Sequence, residues 1–193
     1  IVASLVGSEM CIRDRAKARH EEIPDRYFIV GFILDPQGNV ILKHYKVAPL
    51  YPVEHSVCPH DIYDWWIDRY GDNLDAFWPV AHTEIGSMGI MMANEGSYPE
   101  NARALALNGA EIVYRASIPH PAASNEYFEI STRARALDNN FYVVAPTMGA
   151  YFLTQDDETP VDTFGGQSMI VDYRGQKVGC LLYTSPSPRD WLQ

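Results

Sequence analysis

Met91-Met92-Ala93-Asn94-Glu95-Gly96-Ser97-Tyr98-Pro99-Glu100 is the stretch on which the fold turns. The apolar run Ile85 to Met92 that feeds it reads as a buried strand. Beyond Gly96, Pro99 suits the first turn of a helix, Asn101 to Asn108 continues it, and Gly109 closes it as a C-cap. A strand, a sharp turn and a helix start set one side chain at the strand's end under backbone N–H groups. Chemistry often needs a nucleophile there. The residue in that place is Ala93, which has no lone pair to attack anything.

Upstream, Tyr27 to Leu34 (YFIVGFIL) is a strand candidate, Asp35-Pro36-Gln37-Gly38-Asn39 is turn chemistry, and Val40 to Lys46 returns as the second arm of a hairpin. In Lys46-Val47-Ala48-Pro49-Leu50-Tyr51-Pro52-Val53-Glu54 two prolines hold the backbone extended. Lys46 and Glu54 can then approach one site from different sides, although by spacing alone they read more simply as a surface pair on a loop. His55, Cys58, His60 and Asp61 are metal-ligand types, but H-x-x-C-x-H matches no zinc pattern and no second ligand pair follows, so the segment reads as a solvated loop with no metal. Cys58 beside His60 lacks an oxyanion-hole turn, which argues against a displaced nucleophile.

Asp61 to Tyr70 (DIYDWWIDRY) has helical spacing with Asp61 as N-cap, and its Trp65, Trp66 and Tyr70 either line an entrance or pack on the core. Trp78 to His82 is a short strand and Thr83-Glu84 a turn. Downstream come a strand at Glu111 to Ala116, a helix from Asn125 to Leu137 capped by Ser124, and a strand at Phe141 to Pro146. Thr147 to Phe164 reads as a loop, followed by the strand Met169 to Asp172, a turn at Tyr173 to Gln176 and a last strand. Strands and helices alternate throughout, the pattern of an α/β protein. No phosphate-binding glycine loop occurs, since Gly165-Gly166 lacks a following Lys and helix.

The segment from Ala93 to Glu111 resembles the nucleophile segment of the nitrilase superfamily of carbon–nitrogen hydrolases, in its aliphatic amidase and formamidase branch. That segment runs apolar strand, Cys, two polar residues, Gly, a small polar residue, Tyr-Pro-Glu, then a helix ending in Gly-Ala-Glu. Asn94-Glu95-Gly96-Ser97-Tyr98-Pro99-Glu100 and Asn108-Gly109-Ala110-Glu111 fit it, with Ala93 where the family has Cys. A Lys, a Pro-x-x-Pro spacer and a Glu stand in that branch at the spacing of Lys46 and Glu54. The resemblance spans Tyr27 to Gly179. It implies a partial four-layer α-β-β-α sandwich whose first part, with the general-base glutamate, is missing. Glu21 and Glu22 offer no substitute, lying in a charged, strand-poor segment.

In the mechanism that the resemblance implies, a glutamate takes the thiol proton and the thiolate attacks an amide or nitrile carbon. A lysine ammonium holds the developing negative charge. Water then releases the acid. Lys46 becomes the oxyanion partner, Glu54 the carboxylate that orients it, and Ala93 the position of the missing nucleophile. The chain is then a fragment of an amidase-like hydrolase acting on non-peptide carbon–nitrogen bonds, inactive as written. Two alternatives stand beside it: a natural pseudoenzyme that binds a small amide or serves as an oligomerisation subunit, and a non-covalent chemistry in which Glu95 or Asn94 directs water. The implied partners are a small amide or nitrile and further copies of the chain, met through helical faces. No cofactor is implied.

The 193 residues suffice for one domain, and the 47% hydrophobic content can fill its core. No run approaches the roughly 20 apolar residues of a membrane span. A formal net charge of −10 disfavours nucleic acid and anionic membranes as partners. Residues 4–15 (SLVGSEMCIRDR) and 180–190 (CLLYTSPSPRD) read as translations of reverse-complementary DNA, resembling a sequencing-library adaptor read through in frame in assembled, metagenomic-type reads. This divides the chain into adaptor-like residues 1–15, a hydrolase domain at 16–179 and an adaptor-like tail at 180–193. Cys11 and Cys180 then belong to the ends and Cys58 stands alone, which fits a reducing, cytoplasmic compartment.

Overall fold

Asp35 shows how the sequence closes the first hairpin. Its carboxylate accepts from the backbone N–H groups of Gln37 and Asn39 and from the Asn39 side chain, and Gly38 takes the positive φ of the turn. The computed structural model describes residues 19–20, 23–117, 126–148, 150–151, 162–163 and 167–181. A short ladder pairs β1 (Arg19–His20) with β2 (Ile23–Tyr27), and β3 (Val30–Leu34) pairs antiparallel with β4 (Val40–Tyr45) around the Asp35 turn. The strand expected from Tyr27 therefore starts at Val30. Glu21 and Glu22 lie outside the described residues.

Helix α1 (Tyr63–Tyr70) follows a 3-10 turn at Pro59–Ile62. Asp61 is not the N-cap of α1: its carboxylate reaches back to the Cys58 N–H at 2.8 Å and caps the preceding turn instead. Asn73 accepts from the Ala76 N–H and so starts a further helix, α2 (Leu74–Phe77), which the sequence reading did not include. The strand expected at Trp78 is displaced to β5 (Val80–Thr83).

A six-stranded sheet carries the rest. In chain order its strands are β5, β6 (Gly86–Ile90), β7 (Ile112–Tyr114), β8 (Tyr142–Ala145), β11 (Ser168–Val171) and β12 (Lys177–Leu181), laid out spatially as β12-β11-β8-β7-β6-β5. Strands β6, β7 and β8 run parallel, which demands crossover connections. Helix α3 (Pro99–Leu107) makes the first crossover, and α4 (Tyr127–Asn139) lies between β7 and β8. Gly109, at φ 88, ends α3. Ser124, the expected cap of α4, lies outside the described residues. The ladder of β11 and β12 includes Cys180 and Leu181, which the sequence reading places outside the hydrolase domain. The expected loop at Thr147–Phe164 contains a two-residue ladder, β9 (Ala150–Tyr151) with β10 (Asp162–Thr163).

Three apolar clusters define the layers. Met91, Val113, Val143 and Met169 pack one face of the six-stranded sheet under Leu105 of α3 and Phe128 and Ala136 of α4. On its other face Met88, Ile90 and Met92 meet Ile29, Ile33 and Leu42 of the hairpin. Gly31 permits this stacking, since a Cβ there would come within 3.0 Å of Ile90. Phe28, Val30 and Val47 then pack the hairpin's outer face against Trp66 of α1 and Phe77 of α2. The order is helix, hairpin, sheet, helix: the four layers α-β-β-α. Trp66 is a core residue, with its indole N–H on the Ala76 carbonyl. No helix among the described residues is long and apolar enough to cross a membrane.

Candidate active site

The backbone between β6 and α3 is a 3-10 turn, Ala93–Ser97, and its first residue carries the strain. Ala93 sits at φ 46, left-handed territory that a side chain with a Cβ enters at a cost of about 1–2 kcal/mol. Its N–H bonds the Ala116 carbonyl at 2.7 Å, continuing the β6–β7 pairing one step past the strand. Its carbonyl accepts from both Nε and Nη2 of Arg115 at 3.3 Å. Arg135 of α4 donates to the carbonyls of Gly96 and Ser97, and the Asn101 amide donates to that of Glu95. The turn is thus gripped through its carbonyl groups, as buried backbone requires.

Lys46 and Glu54 meet. The ammonium of Lys46 lies 2.8 and 2.7 Å from the two carboxylate oxygens of Glu54, and both side chains are buried. The surface-pair reading is overturned. The Leu50 N–H also donates to Glu54, and the Glu54 N–H returns to the Leu50 carbonyl, which folds the Pro-x-x-Pro loop back on itself.

Glu95 ties this pair to the turn. One oxygen accepts from the Val47 N–H, the other from the Met92 N–H, each at 2.7 Å, and the His44 Nε2 lies 3.0 and 3.2 Å from the two oxygens. The Asn94 amide adds a bond to the Ala48 carbonyl at 2.8 Å. Residues 46–48 and 92–95 are therefore cross-linked beside Ala93. Burial alone would raise the Glu95 carboxyl pKa. The His44 ring, the Met92 N–H and the Lys46 charge outweigh burial and hold it below the usual carboxylate range. With 0% exposure, Glu95 is closed to water. Glu95 therefore has no geometry for directing a hydrolytic water; Asn94, the other residue of that alternative, is half-buried with its amide on the Ala48 carbonyl.

His44 and Arg115 escaped the sequence reading, and so did the structural role of Glu95. A signal existed for the first two. His44 alternates with Leu42 on the inward face of β4, and Arg115 shares the parity of Val113 beyond β7; both are polar types where the pattern wants apolar ones. Cys58 is buried, which pushes its thiol pKa up and away from reactivity. His60 stacks among Tyr63, Phe77 and Trp78. Among the described residues no three His, Cys, Asp or Glu side chains stand together as a metal site.

The sequence profile of the carbon–nitrogen hydrolase family matches residues 13–181. The chain belongs to the carbon–nitrogen hydrolase family. It is 27% identical over 165 residues to a probable hydrolase, nit2, of Schizosaccharomyces pombe, covering 84% of this chain and 54% of that one. It is 28% identical over 147 residues to a formamidase of Bacillus thuringiensis, covering 75% and 40%. The chain spans about half the length of these hydrolases. Among solved structures, a cysteine-to-alanine mutant of the amidase from Nesterenkonia sp. AN1, in complex with butyramide, superposes with a TM-score of 0.66 at 21% identity over 97% of this chain and 72% of that one. Nit3 of Saccharomyces cerevisiae, a nitrilase-superfamily member, gives 0.62 at 22% identity over 81% and 50%. These superpositions agree with the four-layer arrangement.

Proposed function

We propose that the parent protein is an amidase-type carbon–nitrogen hydrolase acting on small amides or nitriles, and that this chain is a piece of it lacking the covalent step. Position 93 is the nucleophile's seat, Lys46 the oxyanion partner and Glu54 the carboxylate that holds Lys46. The observation that carries the reading is the strained turn at Ala93 cross-linked through Glu95 to the backbone of a buried Lys46–Glu54 pair. An ammonium fixed by two short hydrogen bonds loses nothing to reorganisation when negative charge develops beside it. A methyl group at position 93 cannot form the acyl-thioester, and loss of a nucleophile removes on the order of 10⁴ or more of the rate.

The test is the intact gene, upstream sequence included, with Ala93→Cys. It releases ammonia from short amides; silence across a panel of amides and nitriles sinks the reading. Sequencing the source DNA beyond residues 16 and 179 tests the adaptor-like ends.

A second reading is a pseudoenzyme that holds an amide without turning it over. One observation favours it: the Nesterenkonia amidase holds butyramide with alanine in place of a cysteine. Calorimetric titration of the natural full-length form with butyramide then gives saturable binding and no ammonia, whereas hydrolysis with Ala93 in place refutes it. Assembly belongs to the same proposal. Leu107 of α3 with Ile130 and Leu137 of α4 are exposed on the helical face, and light scattering of the intact form reports whether copies associate.

A further inference from the structure

Arg115 is entirely buried, 0% exposed, directly behind the turn at Ala93. Its Nε and Nη2 hold the Ala93 carbonyl. Its Nη1 donates to Thr132 Oγ1 at 2.7 Å, to Ser131 Oγ at 2.9 Å and to the Phe128 carbonyl at 3.4 Å, and its guanidinium carbon stands 4.4 Å from the centre of the Phe128 ring. Each of these is a neutral partner, and no carboxylate among the described residues pairs with it. A charge that costs so much to bury is normally matched by an opposite one. Burial lowers its pKa, to about 10, so it remains a cation at neutral pH. Gly96 is shaped to it: a Cβ there would overlap Nε and Cζ of the guanidinium.

Resting on the reading of position 93 as the nucleophile's seat, we infer that Arg115 is a positioning residue that readies this seat for a thiolate. It clamps the left-handed backbone of residue 93 and places behind it a positive charge that no carboxylate among the described residues pairs. Among the described residues, the other charged or titratable groups around the turn include Lys46 with Glu54, His44 with Glu95, and Tyr127 and Arg135 of α4. Lys46 and Glu95 each already face an opposite or hydrogen-bonding partner. Arg135 faces the Asp138 carboxylate at 3.4 Å, so Arg115, which no described carboxylate pairs, supplies the field that favours an anion over a neutral thiol. A unit charge within roughly 6 Å of a sulfur moves its pKa by about 1–2 units at an effective dielectric of about 20.

The experiment introduces Ala93→Cys into this chain with Cys11, Cys58 and Cys180 changed to Ser. The pH dependence of iodoacetamide alkylation at position 93 is then followed by mass spectrometry. With Arg115 in place the thiol titrates at least about one unit below the ordinary value near 8.5. Arg115→Met raises that midpoint by about one unit and slows alkylation at pH 7 several-fold, and Arg115→Lys, which keeps the charge, restores most of the depression. Should Arg115→Met not fold, as judged by circular dichroism, Thr132→Val loosens the guanidinium without removing it and raises the midpoint by a smaller amount. A thiol that titrates at or above about 8.5 beside an intact Arg115 overturns the inference, as does a midpoint that stays put in every folded variant. The seat itself is judged separately, by ammonia release from the restored gene.

Discussion

Glu95→Gln is the most informative single change. The carboxylate accepts two backbone N–H groups, from Val47 and Met92, and the His44 ring. An amide has one acceptor oxygen, so one of those N–H groups would face an NH₂ group instead. A hydrogen bond to a charged acceptor contributes about 1.5–3 kcal/mol, and a stranded buried donor costs a further 1–3 kcal/mol or so. Removing a buried charge gives part of this back through its desolvation. The net loss is about 3 kcal/mol, which for a domain of this size lowers Tm by roughly 6–12 °C. Urea unfolding followed by circular dichroism measures the first figure and calorimetry the second. Hydrogen exchange at the Val47 and Met92 amides locates the loss. The exposed Glu100→Gln is the control and stays within about 0.5 kcal/mol of the parent. A Glu95→Gln protein within about 1 kcal/mol of the parent, with both amides still protected, would refute the account of Glu95 as the cross-link.

The same carboxyl predicts a pH dependence, since its pKa is held below the usual 4.5 in the folded chain. Stability from this source is complete above about pH 4.5 and is lost as pH falls through the depressed pKa. Acid titration therefore shows a steeper decline below pH 4.5 in the parent than in Glu95→Gln. Ala93→Gly relieves the left-handed strain, less the extra chain entropy of glycine, and raises stability by about 0.5–1 kcal/mol in urea unfolding. Gly96→Ala forces a Cβ into the Arg115 guanidinium and costs about 2–3 kcal/mol by the same measurement. Lys46→Met leaves the buried Glu54 carboxylate without its cation and costs about 3 kcal/mol, and adding Glu54→Gln recovers part of it as a measurable coupling in a double-mutant cycle.

The alternation of strands and helices was legible in the sequence because it rests on periodicity, whereas the four layers were only what the resemblance implied. In the structure Val113 and Met91 turn to one face of the sheet and Ile112 and Met92 to the other, the period of two that any strand imposes. The helix at Pro99 and its end at Gly109 follow from fixed backbone preferences. The misreadings concern polar groups with more than one use. Asp61 suits a helix start, and only the position of the Cys58 N–H decides which turn it caps. The site was half visible. Lys46, Glu54 and Ala93 came from a motif, and geometry adds that the first two are buried and paired. His44 and Arg115 were hidden because a charged side chain inside a strand pattern looks like surface until a partner comes from far along the chain: Glu95 for one, Thr132 for the other.

The grips on the strained turn have an evolutionary corollary. Arg115, Arg135, Asn101 and Ala116 all hold main-chain atoms between residues 93 and 97, and none holds the side chain at position 93. The hydrogen bonds that shape the turn do not depend on what that side chain is. A lineage can exchange a sulfhydryl for a methyl there and keep its architecture, so descent from a working catalyst and silence as a catalyst are compatible in a single molecule.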